Sequence, residues 1–110
     1  MGLDVSHGAF RGSYSGFARF REAVFVAAGG RIPRSKIGLR EFLEHSDHDG
    51  QISPELAAAC ADEMEELLPV LDEMAEKQFH TNELAYGERA RIWIAGCRLA
   101  AENGEPLEFT

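Results

Sequence analysis

The stretch His45-Ser46-Asp47-His48-Asp49-Gly50-Gln51-Ile52-Ser53-Pro54-Glu55-Leu56 gathers carboxylates, imidazoles, an amide and hydroxyls around one glycine. A hard cation such as calcium takes roughly six to eight oxygens, and a twelve-position loop supplies them when a glycine at position six permits a sharp bend. With Gly50 at six, Asp47 falls at three, Asp49 at five, the carbonyl of Gln51 at seven and apolar Ile52 at eight. The ends depart from that pattern. His45 stands at position one, a poor ligand for a hard ion, and position twelve is Leu56, with the carboxylate of Glu55 one residue early. The candidate metal ligands are therefore Asp47, Asp49, Gln51 and Glu55, with His45 beside them, and calcium held weakly is the candidate ion. A purely structural turn is the competing expectation. Ser53-Pro54 suits a helix N-cap followed by proline in the first turn, and Asp47 and Asp49 can bond backbone amides in Asx turns. A borderline metal such as zinc would draw on His45 and His48 beside the two aspartates, but no closed four-ligand spacing accompanies them.

Helices must flank such a loop, and the apolar spacing predicts them. Tyr14, Phe17, Val24 and Ala28 recur near the helical period, with Phe20 and Phe25 widening the stripe, so a helix is expected from about Ser13 to Ala28. Gly29-Gly30 ends it. A basic connector over 31–36, containing Pro33, leads to a short helix from Ile37 to Glu44. The third helix starts at Pro54 with Leu56, Cys60, Met64, Leu67 and Leu71 as its buried stripe. Pro69 must break or kink it, and a further segment runs from Val70 to Phe79. A last helix is expected from Glu83 or Gly87 to Asn103, with Ile92, Gly96, Leu99 and Asn103 on one edge and Trp93, Cys97 and Ala100 on the next. Asn103-Gly104 stops it. Residues 1–12 read as an irregular lead-in and 104–110 as an extended tail in which Leu107 and Phe109 point the same way. No alternating apolar stretch reaches ordinary strand length.

Composition narrows the class. The 110 residues suit one domain with a modest core, and the net charge is −8. Residues 1–40 carry a balance of +5, residues 41–80 one of −11. That asymmetry sets a basic face against an acidic one, either packed together or offered to partners. The longest strongly apolar run, Ala23 to Ala28, is too short to cross a bilayer. The N-terminus lacks the order of a signal peptide, so a cytoplasmic protein is the expectation. Cys60 and Cys97 fall on apolar helix faces and read as buried free thiols.

Other chemistry is sparser. Ser6 and His7, near Asp4, suggest a nucleophile and base, but adjacent residues rarely reach the needed geometry and no nucleophile elbow follows. The glycines at 8, 12 and 16 lack the lysine and hydroxyl of a phosphate loop. Arg11, Arg19 and Arg21 interleave with Phe10, Tyr14, Phe17 and Phe20 as in a nucleic-acid clamp. The periodicity makes those rings core, and the acidic total disfavours a polyanion.

Five segments together resemble a family of small uncharacterised bacterial and phage proteins with an EF-hand-like His-Ser-Asp-x-Asp-Gly turn. They are Ser6 to Ala9, Tyr14 to Arg21, His45 to Gly50, Leu67 to Pro69 and Gly96 to Phe109. The resemblance spans nearly the whole chain and implies no known activity. The expected architecture is a single all-α domain over 1–110, a bundle of four to five helices with that turn and an extended C-terminal tail. The expected function is a binding or adaptor module, not an enzyme. The alternative is a protein–protein interaction module acting through an acidic helix face without metal. Another protein is the expected partner, with a second copy of the chain an open option, and neither a membrane nor a nucleic acid is expected.

Overall fold

A computed structural model describes residues 2–31, 34–46, 49–76 and 86–110. Its first element is not the irregular lead-in expected. β1 (Gly2–Val5) and β2 (Phe10–Ser13) form an antiparallel hairpin in the register Leu3 to Gly12 and Val5 to Phe10, joined by a 3-10 turn over Ser6–Gly8. Leu3 and Val5 alternate with exposed Gly2 and Asp4, which is the strand period, but over too few residues to stand out in the sequence. The turn needs left-handed backbone at two consecutive positions, His7 (φ 61) and Gly8 (φ 72).

Ser13 then caps α1 (Tyr14–Ala27), its hydroxyl accepting from the Gly16 amide at 2.9 Å. The helix closes with Gly29 N–H on the Val26 carbonyl and Gly30 N–H on that of Phe25, a Schellman arrangement that glycine's left-handed freedom permits. α2 (Ile37–Glu44) has no cap from its own sequence. Glu63 of α3 (Pro54–Glu65) reaches across instead and accepts from the Leu39 amide at 2.9 Å, a carboxylate placed at the positive end of the helix. The two helices cross so closely at Gly38 that a Cβ there would lie 2.1 Å from the Cys60 amide nitrogen.

Pro69 acts differently from a kink. α3 ends at Glu65 and α4 (Leu68–Glu76) begins afresh, with proline in its first turn, where the missing N–H is an orphan in any case. α5 (Tyr86–Asn103) ends in a second Schellman closure at Gly104 (φ 66). The chain then turns back as β4 (Leu107–Glu108), which pairs antiparallel with β3 (Gln51–Ile52). Phe109 adds a bridge to Val5. The expected continuation to Phe79 and a start at Glu83 fall in residues 77–85, outside the described residues.

The fold is therefore mostly helical, five α-helices among the described residues, but not purely all-α. Two short two-stranded sheets clip the chain ends to the bundle. An aromatic cluster fills the centre. The Phe17 ring centroid lies 4.9 Å from that of Phe10, 5.8 Å from Phe42, 6.1 Å from Trp93 and 6.0 Å from Phe109. Each ring buried there contributes roughly 1.5–3 kcal/mol. Trp93, Cys97 and Ala100 face this core, as the spacing predicts, whereas Ile92 and Leu99 on the neighbouring edge face outward. Both cysteines are buried and unbridged, and Trp93 Nε1–H donates to Cys60 Sγ at 3.4 Å. No described helix is long and apolar enough to cross a membrane.

Candidate functional site

α2 and α3 flank the candidate loop, of which residues 45–46 and 49–53 are described. Gly50 takes φ 94, a left-handed bend that a residue without a Cβ makes at little cost. Ile52 is buried, and Gln51 and Ile52 pair as a short strand with the tail. Ser53 caps α3 by accepting from the Leu56 amide at 3.2 Å, with Pro54 opening the helix.

The candidate ligands are spread through this unit. Asp47 lies outside the described residues, as does His48. Asp49 is exposed on the loop, and Glu55 is exposed in the first turn of α3. Gln51 points its side-chain amide at Glu108 (2.9 Å), and its carbonyl accepts from His45 Nε2 at 3.1 Å. His45 Nδ1 faces the Ser46 carbonyl at 2.7 Å. The imidazole thus spans loop positions one and seven, two positions whose ligands a bound cation would share. Its ring packs on Phe109, with centroids 4.3 Å apart. Arg21, stacked over Phe17 and Phe42, donates to the His45 carbonyl and places a cation at the C-terminus of α2. Among the described residues no three His, Cys, Asp or Glu side chains converge to hold a metal ion.

A second polar cluster adjoins this loop through the tail. The Phe109 amide donates to the Gly50 carbonyl at 3.0 Å, and the Thr110 amide to the Asp4 carbonyl at 2.8 Å. The Glu108 amide donates to Ser6 Oγ at 2.9 Å. Ser6 Oγ lies 2.8 Å from His7 Nδ1, and His7 Nε2 lies 2.9 Å from Glu105 Oε1. That hydrogen bond, with a second from Asn103, holds the Glu105 carboxyl below its ordinary value. Ser6 and His7, neighbours that rarely reach such geometry, sit in a local turn here and bring their side chains into contact. The left-handed His7 and a carboxylate 98 residues away complete the arrangement, and neither is visible in a local motif.

Comparison with family models, curated proteins and solved structures gives no match to the chain.

Five carboxylates of the acidic middle are engaged within the molecule. Arg98 pairs with Asp62 (3.3 Å) and Glu65 (2.9 Å), and Arg91 forms two parallel bonds to Asp72, both 2.8 Å. Lys36 pairs with Glu66, and Glu63 caps α2. These contacts lower the carboxyls of Glu65 and Asp72, through the hydrogen bonds from Arg98 and Arg91 respectively. Phe10, Phe17 and Phe20 are buried and offer no stacking surface.

Proposed function

We propose that this chain is a small binding module whose α2–α3 loop takes a hard divalent cation, with calcium as the reference ion, at low affinity. The observation that carries the reading is the left-handed Gly50 followed by the buried, strand-paired Ile52, set between two helices in the register of a calcium loop. Asp47, Asp49 and the Gln51 carbonyl supply oxygens at positions three, five and seven, with Glu55 as the nearest closing carboxylate. His45 accounts for the weakness. Its ring lies 3.1 Å from the Gln51 carbonyl, so a cation competes with it for that oxygen. The loop is also wired to the tail through Gly50 and Gln51, so occupancy there would reach residues 105–110, and this is how such a module could signal to a protein partner.

An acidic-face adaptor without metal is the weaker reading. Five carboxylates of α3, its C-cap and α4 are engaged by Arg91, Arg98, Lys36 or a helix amide.

Thermal melting under calcium titration tests the proposal. A ligand specific for the native state stabilises by about 1.4 kcal/mol at ten times its dissociation constant. In a domain of this size that raises the melting temperature by roughly 5–10 °C. The rise should vanish in an Asp47→Ala/Asp49→Ala variant. No rise at millimolar calcium, or an equal rise in the double variant, removes the metal site.

A further inference from the structure

We propose that Ser6, His7 and Glu105 form a nucleophile–base–carboxylate relay that lets the Ser6 hydroxyl attack small, unhindered acyl esters. The order of contacts is Ser6 Oγ to His7 Nδ1 at 2.8 Å, then His7 Nε2 to Glu105 Oε1 at 2.9 Å. An ionised carboxylate only accepts, so Nε2 carries the ring proton toward Glu105. Nδ1 is then the acceptor that faces the serine. The Glu108 amide donates to Ser6 Oγ at 2.9 Å, which leaves the hydroxyl's own proton to point at His7. A base held by a third group beside a hydroxyl is the arrangement that activates serine nucleophiles. The ring nitrogens exchange the partners they have in familiar serine triads. A histidine that immediately follows its serine reaches back with the nearer nitrogen.

Two further observations set this cluster apart from an ordinary turn. His7 holds a left-handed backbone (φ 61, ψ 19), a conformation few non-glycine residues adopt and one that collects at functional sites. The turn is open on one side: Gly8 is exposed and a Cβ there would meet nothing within 4 Å, while the His7 side chain, 15% exposed, is mostly covered. An open surface suits a small ester better than a large substrate that a deep cleft would select.

The reaction balances without any cofactor. Ser6 Oγ bonds to the ester carbonyl carbon while its proton passes to His7 Nδ1. The carbon–alkoxide bond breaks, and the alcohol leaves with that proton. Water then attacks the acyl-serine, gives a proton to His7, and Ser6 recovers it as the carboxylic acid departs. Glu105 acts as a positioning residue, through His7.

Because the same contacts tie down the tail, the test must separate reactivity from attachment. Treatment with a fluorophosphonate probe and peptide mapping should modify Ser6 and spare Ser13 and Ser35. His7→Asn, which tolerates the left-handed backbone, should slow labelling by about a hundredfold. Glu105→Gln should slow labelling and Glu105→Asp should restore part of the rate, because Nε2–H loses and then regains an anionic acceptor that orients the ring. As a second measure, Ser6→Cys should be alkylated by iodoacetamide at pH 6 faster than free cysteine, and His7→Asn should cancel that gain. Labelling of Ser6 or His7-dependent reactivity of the introduced thiol supports the relay. The absence of both overturns it and leaves the cluster as a clasp for the tail.

Discussion

Helix α5 and the tail that follows it are attached to the molecule in contrasting ways. α5 lies on α3 through a dry face of Trp93, Cys97 and Ala100 against Cys60 and Met64, with ion pairs from Arg91 and Arg98 along the rim. The tail is anchored by two buried side chains, Leu107 and Phe109, and by a longer set of polar links: Glu105 to His7, the Glu108 amide to Ser6, the Glu108 side chain to Gln51, and amides to Gly50 and Asp4. Burial is insensitive to pH and salt, whereas links between exposed titratable groups are not. The first attachment thus builds the bundle, and the second can be loosened without dissolving it.

The largest expected effect strikes the first attachment. Trp93→Ala removes the ring that contacts Phe17, Phe42 and Phe109, and should cost about 3–5 kcal/mol in urea unfolding followed by circular dichroism. A cost near 1 kcal/mol would mean that the core does not depend on that face. Phe109→Ala comes next, at about 2–3 kcal/mol, less than a central ring because the tail can move in to fill the space. Its signature is local. Amide hydrogen exchange should rise at 107–110 while α5 stays protected, and equal loss in both would erase the distinction drawn here.

Acid should loosen the tail as well. The Glu105 carboxyl is held below its ordinary 4.5 by its hydrogen bond to His7. A lowered folded value contributes stability above the unfolded value, and that contribution is lost as pH falls through the folded one. Glu65 and Asp72 shift in the same direction, so the rim of α5 weakens over a similar range. The two attachments separate in a Glu105→Gln variant. Protection of the Phe109 and Thr110 amides should lose most of its acid dependence, with that of α5 unchanged. The smallest effect belongs to the exposed Arg91–Asp72 pair. A double-mutant cycle with alanine at both positions should give a coupling below about 1 kcal/mol despite its two parallel bonds. A coupling of several kcal/mol would make the rim, not the dry face, the attachment of α5.

The same contrast explains what could be read before the fold was known. Helices with full apolar stripes declared themselves: Cys60, Met64 and Leu71 all face the core, and α2 has the bounds its pattern gives. The bend and the cap after it were legible because Gly50, Ser53 and Pro54 lie within a few residues of one another. The hairpin was not, since Leu3 and Val5 supply only two inward positions, fewer than a period can be read from. The tail junction was hidden for another reason. Ser6 and His7 meet Glu105 and Glu108 across about a hundred residues, and a single sequence carries no signal for pairing at that separation. Ile92 and Leu99 show the opposite failure, apolar residues that a stripe places inward and the neighbouring Trp93 edge keeps at the surface.

The central claim is that the α2–α3 loop is a weak cation site wired to the tail. Nitrogen-15 NMR of calcium-stripped protein under calcium titration tests it most directly, residue by residue. Saturable movement of the Asp49, Gly50 and Gln51 amides is predicted, with a half-point near the weak end for such loops, about 10⁻⁴–10⁻³ M, and with Phe109 moving in step. Amides of 45–55 that stay fixed through that range, or movement confined to the acidic face of α3, would contradict it.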